Sequence, residues 1–251
     1  MRHIALGGMS FCGSTVLSYI LGSLPDVSNI GESHWLTEDT KAGERIYCAR
    51  CGRSCPVLTE DFRDGLRKES TDWYRRVGHQ LDTDVLVSSD KAPVLLDRLD
   101  PERNFDLVVL YKPVELQARS YARVMRRDGV TFELKKYLDQ WSTFYTRFID
   151  RFDVRGTKLF VDAQVFYSNP EHELAKLCDA LNVRFHRDAL IYWSKEHHCV
   201  GGNFNPYSRL LTAPGTLPVE PVKAHPLEEE LLTEIRMHRP SQQVLERMAL
   251  S

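Results

Sequence analysis

Residues 8–15, of sequence GMSFCGST, carry the strongest chemical signal in this chain of 251 residues. They follow a short apolar run, and their glycines are spaced as in the phosphate-binding G-x-x-x-x-G-K-[ST] loop. Glycines let a backbone wrap around an anion, and the N–H groups that open the following helix point toward it. Ser14 replaces the lysine that reaches the terminal phosphates of a nucleoside triphosphate, which disfavours hydrolysis and kinase chemistry. The segment predicts an anion site, with tight strand–helix packing as the alternative.

Two residues shortly after this segment could move a proton. Glu32 could accept a proton from a hydroxyl group as that group reacts. The plainer interpretation of Glu32 is a helix cap or a surface carboxylate. His34 is the rival base, but a lone histidine beside Trp35 is more often structural or in contact with substrate. We therefore rank His34 second.

Three cysteines are grouped as Cys48-x-x-Cys51-x-x-x-Cys55. This spacing suits zinc, but a structural zinc site needs four ligands. One disulfide or three free thiols explain the group equally well, so we predict no metal. Any fourth ligand would have to come from elsewhere in the chain, with these candidates: Cys12, Cys199, His34 and His79.

The elements that must position these residues alternate between short apolar and longer amphipathic runs, which predicts an α/β fold with a parallel sheet. We expect one domain over residues 1–251, with a cysteine-containing insertion at about 37–81 that holds one or two helices. A long ordered loop is expected at 201–226. Strands are predicted at residues 3–6, 84–87, 106–111 and 158–161, and helices at 14–22, 114–126, 132–152 and 170–181.

Composition limits the class of partner. The chain has 33 Lys and Arg against 35 Asp and Glu, a formal net charge of -2, which disfavours a nucleic-acid-coating protein. No run approaches the roughly 18 to 20 apolar residues of a membrane span. The first residues lack the pattern of a secretory signal, so we expect a cytoplasmic protein.

Several segments together resemble a known family. Residues 7–17 (GGMSFCGSTVL), 24–27 (LPDV) and 31–32 (GE) resemble the start of the PAPS-dependent sulfotransferases, of bacterial type and with similarity to tyrosylprotein sulfotransferases in the N-terminal loop. PAPS is 3′-phosphoadenosine-5′-phosphosulfate. In the expected order follow 88–93 (SSDKAP), 110–113 (LYKP) with Ser120, 169–171 (NPE) and 198–203 (HCVGGN). The resemblance implies a P-loop-like three-layer α/β sandwich whose central parallel sheet is flanked by helices.

The resemblance also implies a role for each matching residue. PAPS would be the co-substrate and PAP the product, with a small-molecule, saccharide or peptide acceptor. Glu32 would be the general base, with His34 second, and Lys91 would stabilise the leaving phosphate. The implied nucleotide-binding residues are Cys12, Gly13, Ser14 and Thr15 at the phosphosulfate, and Lys112, Ser120, Gly201, Gly202 and Asn203, with Arg209, at the 3′-phosphate.

Departures from the family pattern keep alternatives open. Phe11 replaces the basic residue that opens the phosphosulfate loop, and Lys112 replaces an arginine that could form a bidentate fork. Near Ala163 and Gln164, the tyrosine and acid that usually follow the late strand are absent. A protein that only binds PAPS or PAP is therefore the first alternative to a sulfotransferase, and a P-loop kinase of a small metabolite is the second.

Overall fold

Five parallel strands form one sheet in the order β2-β3-β1-β4-β5 in the computed structural model, which describes residues 1–68, 72–202 and 229–250. The four predicted strands are confirmed as β1 (Arg2–Gly7), β3 (Val85–Lys91), β4 (Asp106–Tyr111) and β5 (Lys158–Asp162). The edge strand β2 (Val27–Gly31) was not predicted, because its sequence VSNIG is short and only two of its residues are apolar. The predicted fold class, a central parallel sheet flanked by helices, is confirmed.

The three central strands are almost wholly buried, as expected of parallel strands with helices on both faces. One face packs against α1 (Ser14–Leu21) and α8 (Pro170–Ala180). The other packs against α5 (Val114–Arg127), α6 (Leu134–Asp150) and the C-terminal helices. The remaining helices lie between strands or at the C-terminus: α2 (Glu60–Lys68), α3 (Trp73–Leu81), α4 (Pro93–Leu99), α7 (Ala163–Ser168), Glu229–Met237 and Arg239–Ala249.

Residues 37–81, the predicted insertion, connect β2 to β3 and contain α2 and α3. The side chain of Arg63 on α2 is almost fully buried and donates hydrogen bonds to the carbonyl oxygens of Trp35 (2.6 Å), Leu36 (3.3 Å) and Ile46 (2.7 Å). Its burial lowers the pKa of the guanidinium. Because three carbonyl groups satisfy its donors, this buried cation ties α2 to the chain that leaves β2.

The carboxyl ends of the strands meet at one edge of the sheet. Gly7, the last residue of β1, pairs with Lys91 of β3 on one side and with Val109 of β4 on the other. The chain leaves β1 toward β2 but leaves β4 toward β5, so a crevice opens between the ends of β1 and β4. Ligands of open α/β sheets bind at such points. None of the helices in the described part of the chain is long and apolar enough to span a membrane.

Candidate functional site

The glycine-rich loop joins β1 to α1 at this crevice. Gly13 is the N-cap of α1 with φ 106°, and no side chain caps the helix. Side chains of the protein bind the carbonyl groups of this loop. Gln117 donates to the carbonyl oxygens of Met9 (3.2 Å) and Ser10 (2.8 Å). Tyr167 donates to the carbonyl oxygen of Gly13 (2.9 Å). With its carbonyl groups bound on the protein side, the loop leaves the uncapped N-terminus of α1 as an anion-binding position.

Cys12 lies inside this loop and is fully buried. Its N–H donates to the carbonyl oxygen of Met9 (3.1 Å), so it contributes packing to the loop and no free backbone donor. Burial raises the pKa of the Cys12 thiol, whereas hydrogen bonds from Ser14 and the charges of Lys91 and Lys112 lower it. Both predicted lysines therefore act on the same loop from the two strands that flank β1.

Phe11 occupies the position where the family carries a basic residue. It has φ 69°, in the left-handed region, and its side chain is exposed. Its ring packs edge-on against Tyr121 of α5, with the ring centroids 5.9 Å apart. The side chain of Phe11 therefore contacts α5 and brings no charge to the loop.

Glu32 and Lys91 are brought into direct contact at the ends of β2 and β3. A carboxylate oxygen of Glu32 accepts a hydrogen bond from Lys91 Nζ, and the other accepts one from Trp35 Nε1 at 3.0 Å. Lys91 has φ 68°, and its carbonyl oxygen accepts from the N–H of Gly8 at 3.0 Å. The strained backbone of Lys91 is thus fixed to the glycine-rich loop, which places this pair beside the start of α1.

Two glycines allow a distant segment to approach this pair. Gly31 has φ 78°, and a Cβ there would lie 2.2 Å from the carbonyl oxygen of Val200. Gly201 has φ 67°, and a Cβ there would lie 2.8 Å from that of Glu32. The N–H of Glu32 donates to the Val200 carbonyl (2.8 Å), so residues 200–202 form a wall beside the candidate base.

The predicted glycine pair therefore lies at the Glu32 end of the site. A Cβ on Gly202 would lie 3.3 Å from Cγ2 of Thr15, and Gly201 contacts Glu32 and Trp35. The expectation that this pair meets the 3′-phosphate gains no support from these contacts. Asn203 and Arg209 lie outside the described residues, as does most of the predicted loop at 201–226.

Asp90 is a site residue that the sequence analysis missed. Its carboxylate is buried and accepts hydrogen bonds from Ser33 Oγ (2.7 Å) and the backbone N–H of His34 (2.9 Å), while His34 Nδ1 lies 2.9 Å from Oδ1. A carboxylate oxygen accepts hydrogen bonds, so His34 donates this one from Nδ1. Asp90 precedes Lys91 in the segment SSDKAP, which was the available signal.

Lys112 and Ser120 lie on the β4 side of the crevice, at the end of β4 and on α5. Burial lowers the pKa of Lys112, the Cys12 thiol raises it and Arg123 on α5 lowers it. The hydroxyl of Ser120 donates to the carbonyl oxygen of Leu116 in its own helix (3.1 Å). Arg123, which the sequence analysis did not single out, therefore adds a second positive charge near Lys112.

Comparisons with known proteins were made by sequence and by structure. The sequence matches no protein-family model and no curated protein. Solved structures do match. The sulfotransferase domain from the curacin biosynthetic pathway superposes with a TM-score of 0.63 at 15% identity, covering 99% of this chain and 97% of that domain. The sulfotransferase domain from the Synechococcus PCC 7002 olefin synthase gives 0.64 at 17%, covering 99% and 94%.

A mouse sulfotransferase solved with PAP also matches, with a TM-score of 0.47 at 14% identity, covering 98% of this chain and 88% of that one. The resemblance to tyrosylprotein sulfotransferases in the N-terminal loop stays a prediction. At 15% and 17% identity, the superpositions on the curacin and olefin synthase domains are evidence about the backbone fold alone. The backbones agree along almost the full length of each chain. The chain has the fold of these sulfotransferase domains.

Proposed function

We propose that the protein transfers a sulfuryl group from PAPS to a hydroxyl group, or an amine, of an acceptor. The observation that supports this most is the direct contact between Glu32 and Lys91 beside an uncapped helix N-terminus. A proton acceptor, a cation and an anion-binding loop are the three groups that transfer between two oxygen atoms requires.

The phosphosulfate would lie at the glycine-rich loop. Backbone N–H groups at Gly13, Ser14 and Thr15 and the two hydroxyl groups would bind its oxygens, and the partial positive charge of the α1 N-terminus favours an anion there. Lys91 reaches this position from β3 and supplies the full positive charge that Phe11 does not. Lys91 would leave Glu32 when the nucleotide binds, because the phosphate competes for its ammonium group.

The transfer itself would use Glu32 and Lys91 in complementary roles. The acceptor oxygen forms a bond to sulfur while its proton passes to the Glu32 carboxylate. The bond between sulfur and the bridging oxygen breaks, and its electron pair stays on the 5′-phosphate of PAP, where Lys91 stabilises the charge. Trp35 and the 200–202 wall hold Glu32 in place during this step.

The 3′-phosphate would be bound on the β4 side. Lys91 ends β3 and Lys112 directly follows β4, and β1 lies between these two strands. Two cations on either side of the glycine-rich loop can meet two phosphate groups of one nucleotide. Lys112, with Ser120 and the nearby charge of Arg123, is our candidate for the 3′-phosphate.

A second function, binding of PAPS or PAP without transfer, is favoured by one observation. Phe11 packs on Tyr121 at the position of the basic loop residue, so one source of charge stabilisation is missing. The P-loop kinase alternative is disfavoured, because Ser14 cannot replace the lysine that holds the terminal phosphates.

Thermal unfolding with nucleotides and label transfer from ³⁵S-PAPS test these functions together. We expect PAP to raise the melting temperature and ATP with Mg²⁺ to leave it unchanged, since only a ligand of the folded state stabilises it. Label should then pass to at least one acceptor in a panel of phenols, alcohols, saccharides and tyrosine peptides. PAP binding without any labelled product would favour the binding-only protein, and stabilisation by ATP with Mg²⁺ alone would overturn both.

A further inference from the structure

We propose that Cys48, Cys51, Cys55 and His198 form a structural zinc site, which does not depend on the proposed function. The three sulfur atoms and one ring nitrogen all lie within 4.8 Å of one another. Three cysteines and one histidine are a common ligand set for structural zinc. The fourth ligand is His198, which was not among the four candidates from the sequence analysis. His198 lies 143 residues beyond Cys55 in the chain.

The spacing of the ligand atoms fits a tetrahedral ion. His198 Nδ1 lies 3.3 Å from the sulfur of Cys55 and 3.6 Å from that of Cys51. Tetrahedral zinc with Zn–S and Zn–N bonds of about 2.3 and 2.0 Å separates a sulfur and a nitrogen ligand by about 3.5 Å. The two separations bracket this value, as expected if Cys51, Cys55 and His198 share one ion.

The backbone around the cysteines forms the kind of turn that a thiolate site needs. The carbonyl oxygen of Cys48 accepts from the N–H of Gly52 (2.9 Å), and Gly52 has φ 62°. The N–H of Leu58 donates to the sulfur of Cys55 at 3.2 Å. Cys48 and Cys55 are buried and Cys51 is half-buried, which shields the site from water. Backbone donors directed at sulfur stabilise a thiolate ligand.

The histidine is oriented from its other side. Nε2 of His198 lies 3.6 Å from the carboxylate of Glu196, which also pairs with Arg50 Nε at 3.0 Å. A carboxylate behind a zinc-binding histidine sets the ring orientation and keeps the proton on the nitrogen away from the metal. Arg50 lies between Cys48 and Cys51, so this outer shell joins the same two segments that the ligands join.

A simple disulfide explains the cluster less well. All six cysteines of the chain are free in this structure. One disulfide would use two of the three thiols and would leave a thiol and an imidazole together without a role. Cys199, next to His198, points elsewhere, since its sulfur lies 3.1 Å from the hydroxyl oxygen of Tyr19.

The location of the site indicates a structural role. Backbone hydrogen bonds run from Ala49 to Cys199 (2.8 Å), from Val200 to Ile30 (2.9 Å) and from Glu32 to Val200 (2.8 Å). The ion would therefore fasten the insertion to the segment that forms the wall beside Glu32. It would hold this wall in place without contacting substrate.

Metal content of the full-length chain, purified from zinc-supplemented cells without chelators, tests the site. We expect about one zinc ion per chain in the wild type, and loss of it in Cys55→Ser and His198→Ala. Cys178→Ala is the matched control, because it removes a buried thiol outside the cluster and should keep the ion. His198→Cys should also keep zinc, because it restores a fourth ligand.

The wild type alone provides a second readout that holds even where variants do not fold. Cobalt exchanged into the site should show thiolate-to-metal charge transfer and the intense visible bands of a tetrahedral ion. X-ray absorption of the zinc form should fit three sulfur ligands and one nitrogen. Zinc-free protein that keeps the same melting temperature with or without added Zn²⁺, a Cys48–Cys55 disulfide, or zinc retained in Cys55→Ser would each overturn the proposal.

Discussion

The two halves of the carboxyl edge of the sheet differ in how their charged groups are satisfied. At the ends of β2 and β3, Glu32 is bound to Lys91 and Trp35, and the buried Asp90 is bound to Ser33 and His34. On the β4 side, the half-buried Lys112 has no hydrogen-bond or ion-pair partner in the part of the chain that the structure describes.

The charged groups of the β2–β3 half are already paired within the protein, whereas Lys112 would gain a partner from a ligand. A cation removed from water without a partner is costly, and the lowered pKa of Lys112 records that cost. A bound phosphate would supply the missing charge. The β2–β3 half has the opposite requirement: in the proposed function, Lys91 would have to leave Glu32 before the carboxylate could take a proton.

Of the variants considered, Glu32→Gln should have the largest effect. It changes only the β2–β3 half, and it should lower the rate of transfer. The amide keeps the shape and can still accept from Trp35, but it cannot take the acceptor's proton. We expect the rate of ³⁵S transfer to fall by about 10²- to 10⁴-fold while the affinity for PAP, measured by titration calorimetry, changes little.

His34→Gln is the matched comparison for this variant, since His34 is the other candidate base. If His34→Gln abolishes transfer and Glu32→Gln does not, the roles are exchanged and Glu32 is a structural partner of Lys91. If both variants retain transfer, neither residue is the base.

Lys112→Ala should have the next largest effect, on the β4 half. Loss of one charge-assisted contact to phosphate weakens PAP binding by about 1.5 to 3 kcal/mol, or about 10- to 150-fold in Kd. Titration calorimetry with PAP and with adenosine 5′-phosphate separates the two phosphates. Only PAP should lose affinity, and Lys176→Ala on the exposed face of α8 is the control. An equal loss for both nucleotides would contradict the assignment of Lys112 to the 3′-phosphate.

Asp90→Asn tests whether the hydrogen bonds of the β2–β3 half also stabilise the fold. The amide loses an acceptor for either Ser33 or His34, and a buried group left unsatisfied costs about 1 to 3 kcal/mol. We expect the free energy of unfolding, measured by urea titration, to fall by that amount, which lowers the midpoint at an unchanged slope. The Ser33→Ala variant leaves the His34 contacts intact and should cost less. An unchanged midpoint in Asp90→Asn would show that this network contributes no stability.

The fold and the positions of Lys91 and Lys112 were predictable because each depends on local sequence. Strand periodicity, the glycine-rich loop and residues that directly follow strands place Lys91 and Lys112 at one edge of a parallel sheet. Asp90 was missed because a buried aspartate at the end of a strand differs from an exposed one only in its partners, here Ser33 and His34. Both partners lie more than 50 residues away in the chain.

Two further features depend on contacts between distant segments. His198 joins the cysteine cluster only because Val200 pairs with β2, which no pattern within the HCVGGN segment indicates. The strand β2 itself was missed because its burial comes from the insertion and from α1 and not from an apolar run of its own. Long-range pairing, unlike helix periodicity, leaves little trace in a single sequence.

The smallest expected effect is a pH dependence confined to the β4 half. Burial lowers the pKa of Lys112 below its ordinary value of 10.5, so this lysine loses its proton at a lower pH than an exposed lysine does. Raising the pH removes the positive charge that we assign to phosphate binding, so PAP affinity should fall modestly as the pH rises from 7.5 toward that lowered pKa. The phosphate groups are already ionised above pH 7.5, because their second pKa is about 6. In Lys112→Arg the fall should vanish, because the guanidinium stays protonated throughout this range. An identical fall in both proteins would assign the pH dependence to another group and weaken the contrast between the two halves.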